Sequence, residues 1–179
     1  MSWKTDSSWT LFLDRDGVIN KRLIGDYVKT IAEFELIDGV AEAIAKASGI
    51  FGKIVVVTNQ QGIGKGIMTA RNLSDIHAYC LQMINEAGGR IDGFYFAPEL
   101  ANAGSALRKP DTGMALQAKA EFPEIDFSKS VMVGDSVSDM QFGKNLGMKT
   151  VFVETGTTTY EDADLTVHSL SEAIKLITA

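Results

Sequence analysis

The sequence predicts an α/β protein built on a doubly wound, mostly parallel sheet with helices on both faces. Short apolar runs alternate with stretches of helical periodicity, and most of the apolar runs end in polar or Gly-rich segments. Parallel sheets show this alternation because helices connect their successive strands. With 179 residues, 45% of them hydrophobic, the chain can bury a sizeable core. We expect residues 1–179 to form a single domain without a separate cap domain.

Six strands are predicted from short apolar runs. They are Trp9 to Leu13, Lys53 to Val57, Ile91 to Ala97, Ser130 to Val133, Lys149 to Val153 and, at the sheet edge, Leu165 to Val167. Helices are predicted between them from apolar residues at helical spacing and from capping signals. They run from Asp38, as cap, to about Ala47, from Thr69 to Ala87, near Thr112 to Phe122, from about Ser136 to Leu146, and onward from Ser169. The segments 21–39 and 58–66 are predicted loops.

The composition excludes several classes of partner. A formal net charge of −6 argues against a general nucleic-acid surface. No stretch approaches the roughly 18 apolar residues of a membrane span, so no membrane partner is expected. Cys80 is the only cysteine, so no intrachain disulfide can form, which fits a reducing cytoplasm. The Cys80 side chain is predicted to lie in the core. We expect a cytoplasmic monomer.

Two carboxylates directly follow the first predicted strand. Asp14 and Asp16 are separated by one residue, so both side chains can project to the same side beyond the strand end. Their charges repel unless a cation lies between them, and a divalent metal provides one. Gly17 permits the turn that leads the backbone away from the site.

Other polar signals follow the remaining strands. Thr58 follows the second strand, Arg108 and Lys109 come after the loop beyond the third, and Asp135 and Asp139 follow the fourth. Ligands of open parallel sheets bind at the carboxyl ends of the strands, so these residues are predicted to converge. Either Asp135 or Asp139 can complete a Mg²⁺ site with Asp14.

Phosphoryl transfer explains why these residue types occur together. In this interpretation Asp14 attacks the phosphorus, and Asp16 protonates the leaving oxygen and later deprotonates water. Lys109 and Thr58 stabilise the phosphoryl oxygens, and Mg²⁺ offsets the charge repulsion. The predicted partner is a small phosphate ester.

At these residues the sequence resembles the haloacid dehalogenase (HAD) superfamily of phosphohydrolases. The resemblance lies in Asp14 to Asn20, Thr58, Lys109 and Gly134 to Asp139, and the segments TNQQGIGKG and RKPDTGM extend it over nearly the whole chain. It is closest to the branch of heptose-1,7-bisphosphate 7-phosphatases and histidinol-phosphate phosphatases.

The resemblance implies Asp14 as nucleophile, Asp16 as acid and base, and Mg²⁺ held by Asp14, the carbonyl of Asp16 and Asp135, with Asp139 an open fourth candidate. It also implies removal of the 7-phosphate of a heptose bisphosphate, with histidinol phosphate or another small sugar phosphate as the alternative substrate. Residues expected near the substrate are Asp26, Tyr27, Asn59, Gln60, Gln61 and Arg108.

One segment departs from that branch. Its heptose bisphosphatases commonly carry a Cys/His zinc site before the Arg-Lys-Pro triplet, whereas residues 97–107 here contain neither Cys nor His. Structural zinc is therefore not expected there, and the loop is expected either to be ordered by other contacts or to be mobile.

Some alternatives remain. A receiver domain also gathers Asp, Thr and Lys around Mg²⁺, but Asp16 supplies a catalyst for dephosphorylation, and receivers do not place their acidic pair last in the chain. A catalytically silent binding module lacks support because every group that the chemistry needs is present. His77 and His168 are predicted surface or boundary residues, and Trp3 and Trp9 are predicted to pack.

Overall fold

The computed structural model describes residues 3–179 and contains a six-stranded sheet in which all strand pairs are parallel. The strands are β1 Thr10–Leu13, β2 Lys53–Asn59, β3 Gly93–Ala97, β4 Ser130–Gly134, β5 Lys149–Val153 and β6 Leu165–Val167. Their order is β3-β2-β1-β4-β5-β6, which confirms the predicted fold class and places β6 at an edge. The chain order reverses between β1 and β4.

Helices cover both faces of this sheet. They are α1 Val40–Ser48, α2 Gln61–Gly64, α3 Ala70–Glu86, α4 Gly113–Glu121, α5 Val137–Asn145 and α6 Leu170–Ile177, with 3₁₀ turns at Ile31–Glu33 and Phe127–Lys129. Alternate residues of β1 point to opposite faces: Leu11 and Leu13 pack with α1, α3 and α6, whereas Phe12 packs with α4 and α5. The strand β1 therefore joins two apolar layers.

The helix starts test the predicted caps. Thr69 and Ser136 accept hydrogen bonds from the backbone three residues later, each in a reciprocal capping box. Ser169 also caps α6, although the Glu172 carboxylate accepts from the backbone of His168 instead. The Asp38 cap is wrong: α1 is preceded by Gly39 at a φ of +78°, and no side chain caps it.

Two other local predictions need correction. The strand β2 continues through Thr58 and Asn59, because the ladder with β3 extends to Asn59 opposite Ala97. The predicted loop 58–66 therefore contains two strand residues and the short helix α2. Thr58 and Asn59 therefore lie in a strand, and Gln61 lies in a helix, instead of in an irregular loop.

Several single-residue predictions are confirmed. Cys80 is fully buried in the core, and burial raises the pKa of its thiol to about 12. Trp3 and Trp9 pack against the core, and His168 is exposed. None of the helices between residues 3 and 179 combines the length and apolar character needed to cross a bilayer.

Candidate active site

The site lies at the carboxyl ends of the three central strands. Asp14 directly follows β1, Asp135 directly follows β4, and Thr58 lies near the end of β2. The strands β1 and β4 are neighbours at the point where the strand order reverses, which is where open α/β sheets bind ligands. The predicted convergence of the strand-end residues is therefore present.

An acidic cluster forms the deepest part of the site. Asp14, Asp135 and Asp139 are buried, and each offers a carboxylate oxygen within 4.8 Å of the others. Burial raises the pKa of Asp14 to about 8, the charge of Asp139 adds to this effect, and Lys109 opposes it. Burial likewise raises the pKa of Asp135. Such a cluster is costly without a cation.

The donor set of this cluster fits a hard divalent cation such as Mg²⁺. Carboxylate oxygens are the ligands that Mg²⁺ prefers, and one or two of them usually suffice. Gly17, at a φ of +88°, lies against the cluster, and a Cβ atom there would come within 2.0 Å of Asp135 Oδ2. The loop after β1 therefore comes so close to Asp135 that only glycine fits at position 17, because a side chain there would collide with the carboxylate.

Lys109 is held between two of the carboxylates. Its Nζ donates to Asp14 Oδ1 at 2.9 Å, to Asp139 Oδ1 at 2.6 Å and to the carbonyl of Val57 at 2.7 Å. Burial disfavours its charged form, but Asp139 and Asp14 outweigh that effect and raise its pKa. The ammonium group is therefore fixed beside Asp14, where an attacked phosphoryl group would lie.

Asp139 has both oxygens engaged. Its Oδ1 accepts from Lys109, and its Oδ2 accepts from the backbone and hydroxyl of Ser136 at 3.1 and 2.7 Å. A Cβ on Gly134 would lie 2.2 Å from the Cβ of Asp139, so this close packing also requires glycine. The side chain orients Lys109 and caps α5, whereas its ligation of a metal stays a prediction.

Asp16 is held by a different set of donors. Its Oδ1 accepts from Arg15 Nη2 and Asn20 Nδ2, both at 2.9 Å, and its Oδ2 accepts from Gln60 Nε2 at 3.0 Å. Burial alone disfavours its charged form, but Arg15 and the two amides outweigh it and lower its pKa. Without a cation the pKa of Asp16 is thus lowered and that of Asp14 is raised, so the two carboxylates differ as two separate roles require.

Arg15 and His77 were not predicted to belong to the site. Arg15 is fully buried, and its Nη1 lies 3.3 Å from Nε2 of His77, which stacks on Phe94 with ring centroids 4.4 Å apart. The prediction that His77 is a surface or boundary residue is wrong. Burial and Arg15 lower its pKa to about 3, so His77 is neutral and accepts from the guanidinium.

The residues predicted to contact substrate fall into two groups. Asn59 and Gln60 are used inside the protein: the Asn59 amide bonds the backbone N and O of Lys109 at 2.9 and 3.2 Å, and Gln60 bonds Asp16 and Thr58. Both residues also line a cavity of about 540 Å³ above the acidic cluster. The other four, Asp26, Tyr27, Gln61 and Arg108, line the same cavity.

The wall of the cavity is formed by contacts between loops. Gln61 Nε2 donates to the Tyr27 hydroxyl at 2.9 Å, and the Lys65 ammonium lies 5.2 Å from the Tyr27 ring centroid. Asp26 pairs with Lys29 at 2.9 Å and is half exposed. Arg108 lines the cavity, and its Nη1 is buried without a hydrogen-bond partner in the described part of the chain.

The loop 98–107 is held by contacts to its neighbours. The Pro98 carbonyl accepts from Gly64 N at 2.9 Å, and the Ala106 carbonyl accepts from Gly113 N at 2.9 Å. Gln61 Oε1 accepts from Ala101 N at 3.4 Å. Hydrogen bonds to α2 and to the start of α4 therefore order a loop that lacks Cys and His.

Comparison with known proteins agrees with this geometry. The profile of the HAD-hydrolase-like family matches residues 106–174. A D-glycero-alpha-D-manno-heptose-1,7-bisphosphate 7-phosphatase of Mycobacterium tuberculosis is 41% identical over 138 residues, which cover 77% of this chain and 73% of that protein. The chain belongs to the family of HAD-like phosphatases.

Within this family, its relatives include further heptose bisphosphatases. A D-glycero-beta-D-manno-heptose-1,7-bisphosphate 7-phosphatase of Yersinia pestis is 36% identical, with 98% of each chain covered. The crystal structure of a D,D-heptose 1,7-bisphosphate phosphatase from B. bronchiseptica, complexed with magnesium and phosphate, superposes with a TM-score of 0.83. It is 26% identical and covers 93% of this chain and 96% of its own.

Proposed function

We propose that this chain is a Mg²⁺-dependent phosphomonoesterase that acts through an aspartyl-phosphate at Asp14, with residues 1–179 forming one phosphatase domain. The observation that carries the proposal is the contact of Lys109 with Asp14 and Asp139 at the end of the central strands. An ammonium group fixed beside a buried carboxylate suits attack on a dianionic ester.

The metal would be held by Asp14, Asp135 and the backbone carbonyl of Asp16, with Asp139 as a fourth candidate. When bound, Mg²⁺ offsets the negative charge of these carboxylates and of the phosphoryl oxygens, which keeps Asp14 ionised for attack. The raised pKa values of Asp14 and Asp135 without a cation support this assignment.

The chain supplies the remaining chemistry in two steps. An Asp14 oxygen forms a bond to phosphorus, the bond between phosphorus and the ester oxygen breaks, and Asp16 gives its proton to that oxygen. Water then attacks the phosphorus and gives a proton to Asp16, and the bond between phosphorus and the Asp14 oxygen breaks, which releases inorganic phosphate and regenerates Asp14. Arg15 and the two amides lower the pKa of Asp16, and the negative charge of a bound phosphate raises it toward the acid role.

We propose the 7-phosphate of D-glycero-D-manno-heptose 1,7-bisphosphate as the group removed. The names of the Mycobacterium tuberculosis and Yersinia pestis relatives support this choice, as does a cavity of about 540 Å³, roomy enough for a compact sugar phosphate. Arg22, Lys65 and Arg108 line this cavity and can neutralise a second phosphate. We further propose a cytoplasmic monomer that binds neither nucleic acid nor membranes.

A substrate panel tests the proposal. Purified protein with Mg²⁺ is given the α and β anomers of the heptose bisphosphate, the heptose 1-phosphate, histidinol phosphate and common hexose phosphates. We expect the highest kcat/KM with one anomer of the bisphosphate, release of one equivalent of phosphate, and loss of activity in EDTA that Mg²⁺ restores. Failure to hydrolyse any phosphate ester with Mg²⁺ present would contradict the proposed function.

A further inference from the structure

Gln60 occupies a fixed position between the two reactive regions of the site. It lies between β2 and α2, its backbone N donates to the Ala97 carbonyl at 2.8 Å, and its carbonyl accepts from Ile63 N at 3.2 Å. Only 2% of the residue is exposed. A buried side chain on a backbone held at both ends has little freedom to rearrange.

A single nitrogen of Gln60 contacts two groups of the proposed reaction. Nε2 donates to Asp16 Oδ2 at 3.0 Å and to Thr58 Oγ1 at 2.9 Å. An ionised carboxylate only accepts hydrogen bonds, so the NH₂ end of the amide has to face Asp16. The chemistry of the partners therefore fixes the orientation of the amide, and both of its N–H groups are used.

This arrangement decides where the Thr58 proton points. Because Thr58 Oγ1 accepts from Gln60, its own proton is left for another acceptor. Thr58 lines the cavity, and its hydroxyl has no other hydrogen-bond partner among residues 3–179. The free donor is therefore available to an anionic oxygen in the cavity.

We infer that Gln60 is a positioning residue whose amide holds Asp16 in place for proton transfer and presents the Thr58 hydroxyl to the phosphoryl group. This inference rests on the proposed function and adds a second role to the predicted contact of Gln60 with substrate, since Gln60 also lines the cavity. The structure supports it because both N–H groups of Gln60 are already engaged by Asp16 and Thr58.

Two esters with different leaving groups separate this role from a general structural one. A sugar alkoxide needs the proton from Asp16 to leave, whereas p-nitrophenolate leaves without it. For Gln60→Leu we expect kcat/KM to fall about 100-fold with the heptose bisphosphate but about 10-fold with p-nitrophenyl phosphate, the latter through Thr58. With p-nitrophenyl phosphate, slow dephosphorylation should also give a burst of one p-nitrophenol per site.

Matched variants distinguish the effect of Gln60 that acts through Asp16 from the effect that acts through Thr58. Asp16→Asn should show the same contrast between esters, and more strongly. Adding Gln60→Leu to Thr58→Val should not lower kcat/KM for p-nitrophenyl phosphate further, because the hydroxyl that Gln60 orients is already gone. The neighbouring amide Gln61 bonds Tyr27 in the cavity wall instead and does not contact Asp16, so Gln61→Leu should give no burst of p-nitrophenol with p-nitrophenyl phosphate.

Gln60→Asn provides a second test if the leucine variant does not fold, which thermal unfolding shows. Its amide is one methylene shorter and cannot reach both partners, so the contrast between esters should persist. An equal loss with both esters in the folded variant, or no loss, would overturn the inference. A wild-type protein that hydrolyses neither ester would instead contradict the proposed function, so the two failures are distinguishable.

Discussion

The floor and the rim of the cavity are built differently. The floor, defined as Asp14, Thr58, Lys109, Asp135 and Asp139, contains side chains on strand ends, on the start of α5 and on the turn before α4, none more than 7% exposed. The rim, defined as the segments 21–29, 61–66 and 98–107, contains loops and the short helix α2, with exposed charged side chains such as Arg22 at 52% and Asp26 at 52%.

Their contacts differ in the same way. The Lys109 ammonium reaches the ends of β1 and β2 and the start of α5, so the floor is joined across the sheet. The rim instead contains ion pairs between exposed side chains, such as the pair between Lys21 and Glu35. A buried network fixes geometry, whereas exposed pairs contribute little free energy. We therefore propose that the floor determines the reaction and that the rim adjusts which ester is accepted.

The largest expected effect is on the nucleophile. Asp14→Asn should lower kcat by a factor on the order of 10⁴ or more, because the amide cannot form the aspartyl-phosphate. Its thermal midpoint should not fall, since the replaced carboxylate is buried among like charges. Steady-state kinetics and calorimetry measure both. Near-normal turnover would contradict the mechanism, and the same change at Asp26 on the rim should cost less than about tenfold.

The next effect separates a floor lysine from a rim lysine. Lys109→Met leaves Asp14 and Asp139 without their partner, so the free energy of unfolding should fall by about 3–5 kcal/mol and kcat by about 10²–10³-fold. Lys65→Met removes an exposed cation over Tyr27 and should cost less than about 1 kcal/mol. Urea denaturation measures the difference. Equal losses in the two variants would erase the distinction between floor and rim.

A third test uses pH in the absence of metal. The pKa of Asp14 rises from 3.8 to about 8 in the folded protein, so the folded state keeps a proton that the unfolded state has lost. The free energy of unfolding should therefore fall as pH rises across that interval. In EDTA, the thermal midpoint of the wild type should drop relative to Asp14→Asn between pH 5 and 8, and saturating Mg²⁺ should abolish the drop.

The control for this pH test lies on the rim. Lys29 and the Tyr27 backbone lower the pKa of Asp26. Asp26 therefore contributes stability that is lost only when the pH falls below the ordinary pKa of an aspartate. Asp26→Asn should therefore follow the wild-type profile between pH 5 and 8. Parallel profiles for the wild type and Asp14→Asn would show that Asp14 is not the source of the slope.

The smallest effect concerns the ion pair that joins rim to floor. Arg22 Nη2 lies 3.2 Å from Asp135 Oδ1, where its charge repels a cation bound by Asp135. Arg22→Ala should tighten Mg²⁺ binding about fivefold at low ionic strength, as measured by titration calorimetry, and less at high salt. Lys21 pairs with exposed Glu35, so Lys21→Ala should leave the affinity unchanged. Weaker Mg²⁺ binding by the Arg22→Ala variant would contradict the expectation that the Arg22 charge repels the bound cation.

Much of the fold was predictable because its signals are local. β5 and β6 have the predicted bounds, and α3, α5 and α6 begin one residue after Thr69, Ser136 and Ser169, close to the predicted starts. The failures also have local reasons. Asp38 is a good cap residue, but the left-handed Gly39 follows it, and β2 extends to Asn59 because β3 lies beside it. Tertiary pairing overrides propensity at such ends.

For the candidate site, the sequence predicted which residues lie close together but not which contacts each of them makes. Asn59 and Gln60 were predicted near the substrate from the family resemblance, and the structure shows in addition that they hold Lys109, Asp16 and Thr58. The sequence carried no signal for the contact of His77 with Arg15, because a pattern along one helix does not show which residue of another element it meets. The one available indication was an arginine between two aspartates, directly after a predicted buried strand.

Short-range periodicity and alternation along a strand were enough to predict the succession of strands and helices, the starts of three helices and the polar residues at strand ends. They could not predict that Asp139 meets Lys109, which amide holds Asp16, or that Arg15 is buried against His77. Those contacts join residues 30 to 62 positions apart, so they exist only after the sheet and helices have packed.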